Sequence, residues 1–138
     1  MTKKIITTQC NSIKPLEKIW ECWTKPEHIV NWNFASEEWH CPEANNDLRT
    51  GGKFSSTMAA KDGSFSFVFS GCYDLIIENS KIEYTLDDSR KVWISFENNG
   101  SETVIIQKFE AEEENSYELQ QAGWQAILNN FKKYCEGI

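Results

Sequence analysis

The 138-residue chain sets 21 acidic residues against 14 Lys and Arg, a net charge of −7, which argues against sequence-independent nucleic-acid binding and against docking on an anionic membrane. A chain of this length reads as one domain over residues 1–138 that buries roughly 68% of its unfolded surface, and six Trp, eight Phe and four Tyr are a heavy aromatic load for it. Five scattered cysteines without a C-x-x-C pair argue against a disulfide framework or a zinc knuckle and suit a reducing cytoplasm.

The N-terminal MTKKIITTQ has two lysines but no apolar run behind them, so neither a signal peptide nor a membrane span is expected. Residues 4–10 alternate and are rich in β-branched side chains, which predicts a first strand. The period then changes. In KPLEKIWECW, Pro15 stands at a helix start and Leu16, Ile19, Trp20 and Trp23 follow helical spacing. Thr24 is placed to cap a second short helix, PEHIVNW, with Glu27 completing a capping box and Ile29, Val30 and Trp32 facing inward. Periodicity is lost from Asn33 to Asn46, which reads as a loop packed in part through Phe34 and Trp39.

Five strands in hairpin succession follow. The first, 47–60, carries Gly51 and Gly52, the mark of a bulge, a bend or close backbone approach. After a turn at Lys61-Asp62-Gly63, the strand SFSFVFSGCYDLIIE sets Phe65, Phe67, Phe69, Tyr73, Leu75 and Ile77 at one parity, with Gly71 as its point of bending. Ile82, Tyr84 and Leu86 alternate in the next strand, and Val92, Ile94 and Phe96 in the one after. Asn99-Gly100 predicts a type I′ turn into ETVIIQKFEA. The acidic run after it, Glu110 and Glu112 to Glu114, reads as a solvated strand end and loop.

The chain closes on a long amphipathic helix, Tyr117 to Gly137. Tyr117, Trp124, Ile127, Leu128, Phe131 and Cys135 share its apolar face, whereas Gln121, Gln125, Lys132 and Glu136 point away. The order β-α-α-β-β-β-β-β-α predicts an α+β fold, an antiparallel meander of about six strands covered on one face by that helix. Gly123 costs about 1 kcal/mol in a helix interior, so it is expected where the helix passes close to a neighbour or to a cavity mouth.

KPLEKIWECWTKPEHIVNW, DLRTGGKF, the step GCY and the late AGWQAILNNFKKY occur in the order of the signature blocks of bacterial homologues of the heat-shock-protein-90 ATPase activator, and the chain resembles that family over nearly its whole length. The family lies in the START-like superfamily of the birch pollen allergen, polyketide cyclases and lipid-transfer domains. The resemblance implies a helix-grip fold, a curved sheet wrapped around the C-terminal helix with a cavity between them. In the superfamily that cavity takes lipids, sterols, polyketides or plant hormones. The eukaryotic activators bind the chaperone through an additional N-terminal domain, which this chain is too short to contain.

The residues offer one candidate site. Trp32, Phe67, Phe69, Tyr73, Tyr84, Trp124, Ile127 and Phe131 are candidates for the lining of a cavity that takes a small apolar or amphipathic molecule, against the alternative that the same rings fill a core. A buried phenol wants a hydrogen-bond partner, so Tyr73 and Tyr84 are the informative pair. Arg49 reads more simply as the partner of an acidic neighbour than as a ligand clamp. His28, His40 and Cys41 lack metal-ligand spacing, and no serine or cysteine nucleophile stands in a recognisable catalytic context, so no catalytic residue, metal or cofactor is expected. Cys41 is noted as a candidate thiol. A chaperone partner and a cyclase or lyase on the same scaffold are the alternatives to a binding module, and the chain is compatible with a monomer or a homodimer.

Overall fold

The computed structural model describes residues 4–138; Met1 to Lys3, part of the segment read as carrying no signal peptide, lie outside the described residues. The elements are β1 (Ile5–Ser12), α1 (Leu16–Thr24), α2 (Pro26–Ile29), β2 (Trp39–Asn46), β3 (Lys53–Ala60), β4 (Ser66–Ile77), β5 (Lys81–Leu86), β6 (Lys91–Asn98), β7 (Thr103–Glu110) and α3 (Tyr117–Glu136). Seven strands form one antiparallel sheet in the order β1-β7-β6-β5-β4-β3-β2. This curled meander, with β1 added beyond β7 and α3 against its inner face, is the helix-grip arrangement. Inner-face side chains alternate as the sequence predicts, with Ile82, Tyr84 and Leu86 of β5 and Val92, Ile94 and Phe96 of β6 all buried.

Four local expectations give way. The stretch 39–46, read as loop, is β2. Its alternation is hidden by Pro42 and by a register shift between His40 and Glu43, both features of an edge strand with one neighbour. In β4 a second irregularity between Tyr73 and Leu75 moves the pairing by one residue, so Ile76 rather than Leu75 opposes Ile82. A one-residue slip exchanges the faces, and Ile77 is accordingly exposed. Thr24 does not cap α2: its hydroxyl donates back to the Trp20 carbonyl at 2.7 Å, and Lys25 stands at the N-cap without a side-chain bond. At Asn99-Gly100 only Gly100 has positive φ, 102°, so the hairpin is not type I′. Asn98 pairs with Thr103 across a longer loop that the Asn99 side chain holds by accepting from the backbone N–H groups of Ser101 and Glu102.

The glycines of 47–60 belong to the turn before β3. A Cβ on Gly52 would lie 2.0 Å from the Asp47 carbonyl oxygen, so the backbone approaches too closely for any side chain. Gly71 has the same role inside the sheet, where a Cβ would meet the Thr85 carbonyl oxygen at 2.4 Å and the Phe54 ring at 3.1 Å.

Helix α3 starts at Ser116, whose side chain accepts from the Leu119 N–H at 3.1 Å, and it buries Leu128, Phe131 and Cys135. Its amide-bearing side is not simply solvated. Gln125 accepts the Gln9 N–H at 3.2 Å and donates to the Gln9 carbonyl at 2.9 Å, while Gln121 donates to the Thr7 carbonyl at 3.1 Å. These amides satisfy the free edge of β1, which would otherwise present unpaired backbone groups to another strand. Tyr117 leaves the apolar face: it is 47% exposed, with the Lys4 ammonium over its ring at 4.8 Å. Nothing lies within 4 Å of a Cβ built on Gly123, so the helix makes no close approach there.

Candidate functional site

A cavity of about 280 Å³ lies between the sheet and the helices. Its floor comes from β2 to β5 and β7, with Arg90 from the β5–β6 hairpin; α3 closes it with Trp124, Ile127 and Leu128, and the α1–α2 segment supplies Trp23, Ile29 and Trp32. An apolar cavity of about 150 Å³ holds a benzene ring. By the same ratio this one suits a molecule of about eleven non-hydrogen atoms.

Ring packing fixes the walls. Trp124 stacks on Phe109 with centroids 3.9 Å apart and meets Phe69 edge-on at 5.9 Å. Phe54 lies over Gly71 and meets Tyr84 at 4.7 Å and Tyr73 at 5.1 Å. Such contacts contribute about 0.5–1.5 kcal/mol each beyond area burial, enough to hold rings upright around a void. Of the eight residues expected from sequence, seven border the cavity: Trp32, Phe67, Phe69, Tyr73, Tyr84, Trp124 and Ile127. Phe131 stands behind them, fully buried and edge-on to Trp23 and Trp32, each at 4.9 Å. Phe67 is 42% exposed and marks the mouth; beyond it Phe65 and Trp39 form an outer cluster at centroid separations of about 6 Å.

The polar groups of the lining are the less expected part. Tyr73 donates to the Asn46 Oδ1 at 2.5 Å, and Asn46 in turn donates to the Thr24 carbonyl at 2.6 Å, tying β4, β2 and the end of α1 together. Burial pushes the Tyr73 phenol upward in pKa. The Tyr84 phenol is pushed up as well, by burial first and then by neighbouring Tyr73, while the Arg90 charge pulls the other way. Tyr84 is 7% exposed, and its hydroxyl has no hydrogen-bond partner among the described residues. Gln107 is 6% exposed; one end of its amide accepts from the Thr8 hydroxyl at 3.2 Å, and the other end has no described partner. Arg90 places its Nε 2.7 Å from the Asp88 carboxylate, and its terminal amino groups have no partner among the described residues. Neither hydroxyl nor amide is fully enclosed, since among the described residues no fully enclosed side-chain N or O lacks a bond.

Register shows how these three are arranged. Tyr84 pairs with Val92, and Ile82 with Ile94, which pairs with Gln107. Arg90, two residues before Val92, is therefore the diagonal neighbour of Tyr84, and such a pair is about 7–8 Å apart, within reach of long side chains. Three successive inner-face rows thus each carry one hydrogen-bonding group, from Arg90 at the rim of the β5–β6 hairpin, through Tyr84, to Gln107 deepest. Sequence reading passed over Arg90 and Gln107. The available signal was a polar residue standing at an apolar parity, Arg90 with Val92, Ile94 and Phe96, and Gln107 with Ile105 and Phe109.

Other candidates lie elsewhere. Arg49 is 72% exposed and bonds both Asp47 carboxylate oxygens at 3.0 Å, away from the cavity. His28 bonds the Tyr134 hydroxyl at 2.7 Å and Glu21 at 3.2 Å, joining the three helices. Among the described residues no group of three His, Cys, Asp or Glu side chains is placed to hold a metal ion. Cys41 is 3% exposed and burial pushes its thiol up, so it is not an exposed loop thiol.

A comparison with family models matches residues 14–136 to the family described as Activator of Hsp90 ATPase homolog 1-like protein. The chain belongs to this family. Solved structures agree: an Activator of Hsp90 ATPase homolog 1-like protein from Aeromonas hydrophila is 36% identical, with a TM-score of 0.92 over 97% of this chain and 93% of that one. A protein from Cytophaga hutchinsonii is 53% identical, with a TM-score of 0.83 over 96% and 92% of the two chains. A Nitrosomonas europaea protein, 17% identical with a TM-score of 0.81 over 96% and 94%, shares the fold. No curated protein matches the chain. No helix among the described residues is long and apolar enough to cross a membrane.

Proposed function

We propose that this family member is a binding module of one domain that takes a small apolar or amphipathic molecule between the sheet and α3. The observation that carries the reading is the cavity of about 280 Å³, walled by rings and lined in part by hydrogen-bonding groups that have no partner among the described residues. The groups lining it donate and accept hydrogen bonds at neutral pH, because both phenols titrate above their ordinary range. We place the protein in the cytoplasm, the compartment that suits its five unpaired thiols.

Titration with 2-naphthol, which has about the size the void accommodates, tests the reading through quenching of the tryptophans that border it. Saturable one-to-one quenching is expected, and it should be lost in Ser56→Trp, which fills the void from β3. Absence of saturable quenching in the folded wild-type protein overturns the proposal. The family description favours a second reading, a chaperone-associated role. It predicts stimulation of the cognate chaperone's ATPase, and an unchanged rate counts against it.

A further inference from the structure

We infer that the molecule taken into this cavity carries a carboxylate, received at the rim by the terminal amino groups of Arg90 and the hydroxyl of Tyr84, with its apolar body lying inward between Trp124 and Phe54. The inference rests on the cavity-binding reading and names the ligand class that reading leaves open.

Three observations lead to it. Tyr84 is 7% exposed, borders the void and spends its hydroxyl on no described residue. A buried hydroxyl left without a partner costs about 1–3 kcal/mol, so its presence calls for a bond made only when the site is filled. Arg90 is a cation beside it, with a side chain 16% exposed whose Nε is held by Asp88 at 2.7 Å and whose terminal amino groups have no partner among the described residues. The Asp88 contact orients the guanidinium plane and leaves its outer fork, the pair of donors whose spacing matches the two oxygens of a carboxylate. Finally, the groups converge: the register sets Arg90 and Tyr84 as diagonal neighbours, and the Arg90 charge is felt at the Tyr84 phenol.

The protein's net charge of −7 opposes an anion at long range, and Glu112 also stands near enough to feel Arg90. Salt screens exposed charges beyond about 8 Å, however, whereas a partly buried fork acts at contact distance. The local donors therefore decide the preference. An alcohol of the same body would satisfy Tyr84 and leave the Arg90 fork unpaired, so the sequence of affinities is acid above alcohol.

4-Phenylbutyrate and 4-phenylbutan-1-ol, matched in body, separate these possibilities by calorimetric titration of the full chain at two salt concentrations. The acid should bind roughly tenfold or more tightly than the alcohol, the worth of one charged hydrogen-bonded pair. Arg90→Met should bring the two within about twofold, and Arg90→Lys, which keeps the charge and loses the fork, should fall between. Tyr84→Phe should weaken the acid several-fold. Arg49→Met, at the exposed arginine outside the cavity, controls for a general charge effect and should leave the ratio unchanged. Thermal melts establish that each variant is folded. If the alcohol binds as tightly as the acid in the wild type, or if Arg90→Met leaves the preference intact, the carboxylate assignment fails while the cavity reading stands. If neither compound binds, both fail together.

Discussion

Tyr73 and Tyr84 face each other across β4 and β5, with centroids 6.2 Å apart and planes at 90°, yet removing their hydroxyls should shift stability in opposite directions. The Tyr73 hydroxyl donates to Asn46 at 2.5 Å. Tyr73→Phe deletes that bond and strands an acceptor that also helps hold the end of α1, at a cost of about 1–2 kcal/mol. The Tyr84 hydroxyl has no described partner, so Tyr84→Phe removes a desolvation penalty without removing a bond. The full penalty of a sealed hydroxyl is about 1–3 kcal/mol, but this one opens on the cavity, so a gain of about 0.5–1 kcal/mol is expected. Urea unfolding of the unliganded protein at constant m measures both. For a chain of this length about 1 kcal/mol corresponds to 3–4 °C in Tm, so the two variants should melt roughly 5–12 °C apart. A Tyr84→Phe protein that is less stable than wild type by about 1 kcal/mol would mean that the hydroxyl is already bonded inside the fold, and the argument that it awaits a ligand would fall with it.

Three further outcomes follow from local geometry. Gly71→Ala should cost about 3 kcal/mol or more, because its Cβ meets a backbone oxygen at 2.4 Å that cannot move aside; a urea midpoint near wild type would show that β4 and β5 separate easily. Gly123→Ala should instead stabilise by about 1 kcal/mol, since the helix gains propensity and the new methyl meets nothing within 4 Å; destabilisation in a thermal melt would contradict the open surroundings. Glu21 is held below the ordinary carboxylate pKa of 4.5 by its hydrogen bond to His28, then by Lys25. A depressed folded-state value means that its contribution is present above pH 4.5 and is lost as pH falls through the depressed value. Glu21→Gln should therefore flatten the acid limb of stability against pH, read from urea midpoints between pH 3 and 6, and an unchanged limb would assign that limb to other carboxylates.

Much of the fold was legible because its signals are local and repeated. The alternation of Ile82, Tyr84 and Leu86 and of Val92, Ile94 and Phe96 encodes a half-buried sheet, and the spacing of Leu128, Phe131 and Cys135 encodes the helix that covers it. The failures are of another kind. β2 has one neighbour and a register shift, so half of its pattern is solvent-facing and the rest is offset. In β4 the slip after Tyr73 sets Ile76 rather than Leu75 opposite Ile82, and nothing in DLIIE distinguishes the two, since the choice is made by pairing with β5. The polar side of α3 was read correctly as non-core, but its role on the edge of β1 depends on residues more than a hundred positions away, Gln125 with Gln9.

The site was legible in its rings and not in its polarity, and the physical reason bears on what a binding cavity requires. Aromatic residues at inner parity are consistent with a filled core and with a hollow one, since both are stabilised by the same burial and edge-on contacts. What distinguishes them is a hydrogen-bonding group kept on the inner face without an internal partner, because a filled core selects against that cost. Arg90, just before β6, and Gln107, between Ile105 and Phe109 on β7, stand at mostly apolar parities, and Tyr84 carries a hydroxyl where phenylalanine would pack as well. Apolar replacements at such positions should stabilise the empty protein and weaken its hold on the ligand. Gln107→Leu is the cleanest instance, for it also leaves the Thr8 hydroxyl the Gln107 backbone carbonyl, at 3.4 Å, as an acceptor.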